Sequence, residues 1–99
     1  MITKIVKRDG REVPFNLEKI SNAIFRAASA KGGRDYSTAL SLAEAVVEYI
    51  EERTYGKTPT VENIQDAVEK VLIEKGHART AKEYILYRAE RTRVREMNT

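Results

Sequence analysis

The 99-residue sequence contains no cysteine and a single histidine. Disulfides, thiolate metal sites and thiol nucleophiles are thereby excluded, and His77 alone cannot build a histidine metal cluster. No apolar run approaches the roughly 20 residues of a helical membrane span. The first residues carry no long apolar stretch behind a basic start, so they do not read as a secretory leader. There is no Walker-type glycine-rich loop, no zinc motif and no nucleophile beside a histidine. Internal repeats, low-complexity stretches and interdomain linkers are also missing. Carboxylates are plentiful, but they fall on polar helix faces, where solvation accounts for them. Binding is therefore favoured over catalysis, and a soluble cytoplasmic domain without membrane contact is expected.

What the chain does have is charge and amphipathic periodicity. Charged residues make up 33% and hydrophobic residues 41%, which suits one domain with one modest core. The formal net charge is +3. Residues 77–99 alone hold six cations (Arg79, Lys82, Arg88, Arg91, Arg93, Arg95) against Glu83, Glu90 and Glu96, and so account for all of it. Such a basic stretch suits an anionic partner, whether nucleic acid, an acidic surface or a nucleotide. It is equally a solvated helix face with intrahelical pairs.

Ile2 to Val6 is β-branched and apolar with Lys and Thr interspersed, and reads as a strand. Asp9-Gly10 is a hairpin signal, because both residues tolerate positive φ. Val13-Pro14-Phe15 returns as a short second strand, at an edge or ending there, because Pro14 has no N–H to donate. Asn16 caps a first helix carrying Leu17, Ile20, Ala23, Ile24, Ala27 and Ala28 at helical spacing, stopped near Gly32-Gly33. Asp35 or Ser37 caps a second, with Ala39, Leu42, Ala43, Val46, Val47 and Ile50 on one face. A turn over residues 55–59 leads to Thr60, which caps a third helix along Val61, Ile64, Val68, Val71 and Leu72. Glu62 sits favourably near its positive end. Gly76 ends that helix. A fourth runs from about Ala78 into the nineties with Ala81, Tyr84 and Ile85 as its core stripe. Little beyond Ala89 asks for burial. The expected fold is α+β: a four-helix bundle capped by a small sheet of two to three strands built on the N-terminal β-hairpin. It occupies residues 1–95, with 96–99 as a frayed tail.

The residues able to carry chemistry converge on one place. Lys7 and Arg8 flank the hairpin turn, Lys19 lies one turn into the first helix, and the hairpin feeds directly into that helix. Its N-terminus favours anions through free N–H groups and its dipole. Three cations there make a cradle for a polyphosphate. Taken separately, Lys7 and Arg8 are also ordinary edge-strand charges that discourage aggregation. Arg88 falls on the core stripe of the fourth helix. It must pair, emerge at the bundle end, or fork a phosphate with its planar donors. Tyr84 and Tyr87 read as core or boundary aromatics, Thr60 as a cap and Gln65 as a surface residue.

These blocks, in order, resemble a known family. Val6-Lys7-Arg8-Asp9-Gly10 comes first, then Phe15-Asn16-Leu17-Glu18-Lys19-Ile20. Thr60 with Ile64-Gln65-Asp66-Ala67-Val68-Glu69 follows. Last is Ala81-Lys82-Glu83-Tyr84-Ile85-Leu86-Tyr87-Arg88 with Arg91. Together they are similar to the ATP-cone domain across nearly the whole chain. ATP-cones are allosteric modules at the N-termini of many ribonucleotide reductases and occur also in the bacterial reductase-operon repressor. The resemblance implies a four-helix bundle capped by about three strands, the third near Thr58. It implies ATP or dATP as ligand, with Mg²⁺ accompanying the triphosphate. The nucleotide would control the activity or oligomerisation of a reductase catalytic domain or subunit, with a homo-oligomer as a further partner. By the same resemblance the phosphates lie near Lys7, Arg8 and Lys19. Val6, Phe15, Asn16 and Ile20 line the base and ribose, and Thr60, Gln65, Tyr87 and Arg91 contribute from the later helices. The repressor's cysteine-rich zinc ribbon and the reductases' radical-bearing cysteines have no counterpart here. The other functional class is a small nucleic-acid-binding protein using the basic fourth helix.

Overall fold

A computed structural model describes residues 2–30 and 32–97. Two three-residue strands, β1 (Lys4–Val6) and β2 (Glu12–Pro14), pair antiparallel with Ile5 opposite Val13. Gly10 N donates to Lys7 O at 2.9 Å and Lys7 N to Arg11 O at 2.8 Å, which closes the turn between them. Only Gly10 uses the left-handed region there, at φ +89°. Asp9 acts instead through its carboxylate, which accepts from Arg11 N at 3.1 Å and Arg11 Nε at 2.7 Å. The amide and guanidinium of Arg11 hold the Asp9 carboxyl below its ordinary value.

Four helices follow: α1 (Leu17–Ser29), α2 (Tyr36–Thr54), α3 (Val61–Glu74) and α4 (Ala78–Met97). Each start has a physical cause. Asn16 Oδ1 accepts from Glu18 N at 2.9 Å. Asp35 accepts from the amides and hydroxyls of Ser37 and Thr38. Those contacts, the Ser37 hydroxyl foremost, keep the Asp35 carboxyl below its usual value. Thr60 Oγ1 accepts from Asn63 N at 3.0 Å while Asn63 Oδ1 accepts from Thr60 N at 2.9 Å, a reciprocal capping box. Gly76, at φ +85°, ends α3, and His77 N reaches back to Leu72 O at 2.8 Å.

The helices close into a ring. α1 packs on α2 and α4, and α3 packs on the same two. Ile24, Val46, Val68 and Leu72 are the largest fully buried apolar side chains of the shared core. Ile5, Phe15 and Leu17 lay the hairpin and the start of α1 against it. Of the α4 stripe expected from the sequence, Ala81 and Tyr84 are buried, but Ile85 is exposed. The inward face continues from Tyr84 to Arg88, which α3 receives with two carboxylates. The single fully buried polar side chain among the described residues is Ser21, whose hydroxyl lies 2.7 Å from Tyr36 Oη.

The third strand does not form. In its place is one parallel bridge, Val6 with Thr60, beside a hydrogen bond from Val6 N to Pro59 O at 3.0 Å. Pro59 lacks an N–H, so it can accept but not extend a ladder. Helix α4 continues through Glu96 and Met97, and the last two residues of the expected frayed tail lie outside the described residues. No described helix is long and apolar enough to cross a membrane.

Candidate functional site

The hairpin, α1, α3 and α4 surround a cleft of about 690 Å³. That is within the range of small-molecule sites, roughly 300–1,000 Å³. Each wall follows from local structure. The hairpin turn presents Lys7 and Arg8. The first turns of α1 present Asn16, Lys19, Ile20 and Ala23 on one face. Helix α3 offers Val61, Ile64, Gln65 and Val68 at helical spacing. Helix α4 offers Tyr84, Tyr87, Arg88, Arg91 and Arg95, again one face at intervals of three and four. Phe15 and Ile20, which pack towards the core, supply apolar surface.

Of the twelve residues singled out from the sequence, ten line this cleft: Lys7, Arg8, Phe15, Asn16, Lys19, Ile20, Gln65, Tyr87, Arg88 and Arg91. Val6 and Thr60 do not. They form the parallel bridge to each other, and Thr60 spends its hydroxyl on the α3 cap. Sequence reasoning missed Arg95 and Tyr84 as lining residues, although the spacing 84, 88, 91, 95 places them on one helical face. Gln65, read as a surface residue, is half-buried, and its Oε1 is buried with no hydrogen-bond partner among the described residues. A buried acceptor without a donor costs free energy, and an N–H from a bound molecule would recover it.

The cleft is strongly cationic: six cations line it against one acid, Asp9, which Arg11 already engages. The cations fall into two groups. Lys7, Lys19, Arg91 and Arg95 make no ion pair among the described residues. The Arg91 guanidinium instead lies 5.9 Å from the centre of the Tyr87 ring, and Arg26 donates to the Tyr87 hydroxyl at 3.1 Å. Arg8 and Arg88 are paired with carboxylates of α3. Arg8 Nη1 meets Glu62 Oε1, with both side chains well exposed. Arg88 Nη1 meets Asp66 Oδ1 at 2.8 Å and Glu69 Oε2 at 2.7 Å, with only 22% of the arginine side chain exposed. Burial works against the Arg88 charge, but hydrogen bonds to Asp66 and Glu69 outweigh it and its pKa moves up. Burial likewise pushes the Tyr84 hydroxyl up to about 12, so it stays neutral at physiological pH. Such a surface can hold a polyanion by its phosphates, cover an aromatic base with Phe15 and Ile20, and satisfy one donor at Gln65.

Among the described residues no group of three or more His, Asp or Glu side chains is placed to hold a metal ion.

The family model for the ATP cone domain matches residues 3–93. The chain is 41% identical over 101 residues to the vitamin B12-dependent ribonucleoside-diphosphate reductase of Thermoplasma acidophilum. It is 38% identical over 96 residues to the anaerobic ribonucleoside-triphosphate reductase of Salmonella typhimurium. In both cases 97% of this chain is covered, but only 13% of the relative. The ribonucleoside-diphosphate reductase subunit alpha of Chlamydia muridarum is 41% identical over 103 residues, covering 93% of this chain and 10% of the relative. The chain thus spans a small fraction of the length of the reductases it matches. The chain belongs to the ATP-cone domain family.

Proposed function

We propose that this chain is an allosteric module that binds ATP or dATP in the cleft and passes that occupancy to a ribonucleotide reductase catalytic domain or subunit. The observation that carries the reading is the pairing of unbalanced charge with one empty polar position. Among the described residues, Lys7, Lys19, Arg91 and Arg95 line the cleft without ion pairs and Gln65 Oε1 has no donor. A triphosphate answers the first need and the adenine amino group the second. Guanine carries a carbonyl oxygen at the position where adenine carries its amino group, so it offers no N–H there to Gln65 Oε1. Mg²⁺ enters this proposal as part of the ligand, riding on the phosphates.

Signalling would follow from where the walls originate. The hairpin, α1 and α4 each contribute cations to the cleft, so a bound polyphosphate attracts these three elements at once. A ligand shifts a conformational equilibrium only by its differential affinity for the two states. The state favoured here is the one with the hairpin, α1 and α4 drawn together, and a reductase body or a second copy of the chain would read the altered hairpin and α4 surfaces.

Titration calorimetry with ATP, dATP, ADP and GTP tests the reading. ATP and dATP should bind in the micromolar range or tighter, ADP more weakly, and GTP more weakly than ATP. Equal affinity for GTP would remove Gln65 from base recognition. Absence of ATP binding at millimolar concentration would overturn the nucleotide reading altogether.

A further inference from the structure

The two arginines of the cleft that carry ion pairs are held in unequal ways, and the inequality has a functional meaning that rests on reading the cleft as a nucleotide site. Helix α3 turns Glu62, Asp66 and Glu69 towards the cations, at positions i, i+4 and i+7. Arg88 is gripped by two of these carboxylates and is mostly buried. A buried charge with two good partners does not change them readily. Arg8 has one carboxylate, and both members of the pair are more than a third exposed, at 40% and 37%. An exposed pair is weak and exchangeable.

We infer that Glu62 is an internal competitor of the phosphate ligand: it occupies Arg8 in the empty cleft, and a phosphate must displace it before Arg8 can contribute to binding. The exchange is chemically even-handed. Arg8 swaps one anionic oxygen partner for another that carries more charge, and the released Glu62 carboxylate, already half in water, is hydrated. Nothing else in the hairpin has to let go. Its tie to the segment leading into α3 runs through backbone atoms, Val6 N to Pro59 O, and is untouched by the side-chain swap. Glu62 therefore sets how concentrated or how highly charged a nucleotide must be before the hairpin turn engages it. The two paired arginines divide the work. Arg88 fastens α4 to α3 in both states, and Arg8 changes partner with occupancy.

The test is a double-mutant cycle on the whole chain, with ATP and adenosine as probes and melting temperature as the check on folding. Glu62→Gln should bind ATP roughly three- to tenfold more tightly, the range expected from freeing one exposed pair. Adenosine, which has no phosphate, should bind Glu62→Gln and the parent equally. Arg8→Ala should weaken ATP binding, and adding Glu62→Gln to it should change nothing further, because the competitor has lost its target. Glu62→Asp is the second variant: it keeps the charge but shortens the reach, and should behave like Glu62→Gln. The inference is overturned if Glu62→Gln binds ATP no better than the parent. It is equally overturned if the gain persists with Arg8 gone or if Glu62→Asp matches the parent, since Glu62 then acts only through the overall field of the cleft. A parent chain that binds no ATP at all overturns the nucleotide reading itself, a result distinct from all of these.

Discussion

Tyr55 is the one described non-glycine residue with positive φ, at 51°, and its ring is 88% exposed. A β-carbon in the left-handed region is strained by about 1–2 kcal/mol, and an exposed ring recovers little of this by packing. Glycine adopts the same backbone at no steric cost. Tyr55→Gly should therefore raise the melting temperature, with a gain of roughly 0.5–1 kcal/mol after glycine's extra unfolded-state entropy is charged against it. A fall in melting temperature would mean that the ring makes a contact worth more than the strain. In the cleft, Lys7 and Lys19 are exposed and make no ion pair among the described residues, so Lys7→Ala and Lys19→Ala should each leave stability within about 0.5 kcal/mol. Loss of a charge-assisted phosphate contact costs roughly 1.5–3 kcal/mol, so calorimetry should show ATP binding weakened about tenfold or more. These two lysines were legible because the turn and the helix start that carry them are adjacent in sequence. The pairings of Arg8 with Glu62 and of Arg88 with Asp66 and Glu69 were not, because each joins segments that only the closed bundle brings together. The buried end of Gln65 was hidden for the same reason: a polar residue beside Ile64 reads as surface until the closed bundle buries part of it.

At the scale of elements, the short polar residues before each apolar period were reliable signals. Asn16, Asp35 and Thr60 all cap as their chemistry suggests. Thr60 does more than cap, since Val6 is bridged to its backbone and Asn63 closes the reciprocal pair. Thr60→Ala should cost about 1 kcal/mol and lower the melting temperature by roughly 4–8 °C in a domain of this size. Hydrogen exchange should rise first in the first turn of α3 and at Val6. If protection is lost evenly through α3, the cap was not holding the junction. The third strand that the family resemblance implied near Thr58 is reduced to the single bridge of Val6 with Thr60, and the turn read over residues 55–59 stands, with Pro59 able to accept but not to donate. Ile85 is where the sequence misled. It satisfies the 3.6-residue period as well as Arg88 does, and what decided between them was the pair of carboxylates waiting on α3.

The whole molecule is a slab, 36 × 35 × 19 Å, two helix diameters thick. The sequence made the bundle legible through four amphipathic periods of the right length, but not the slab's closure, because which helix neighbours which depends on packing across the ring. That closure brings together cleft walls from two separate stretches of chain. Every lining residue falls within residues 5–23 or 61–95, and none comes from α2. The first stretch holds Lys7, Arg8 and Lys19; the second holds Gln65, Tyr87, Arg88, Arg91 and Arg95. Between them runs the turn at Gly32 and Gly33, where Gly32 is exposed and sits at φ +88°, a natural place for the chain to tolerate a break. If the chain is cut after Gly33 into a hairpin–α1 piece and an α2–α3–α4 piece, neither piece owns a complete site. A triphosphate that needs both would act as glue between them, and two labelled fragments should associate more tightly with ATP than without it, in a nucleotide-dependent way that adenosine does not reproduce. Association that ignores ATP would show that the pieces are held by α1 against α2 and α4 alone. The same split would turn the domain into a sensor, with reunion of the two halves reporting the nucleotide.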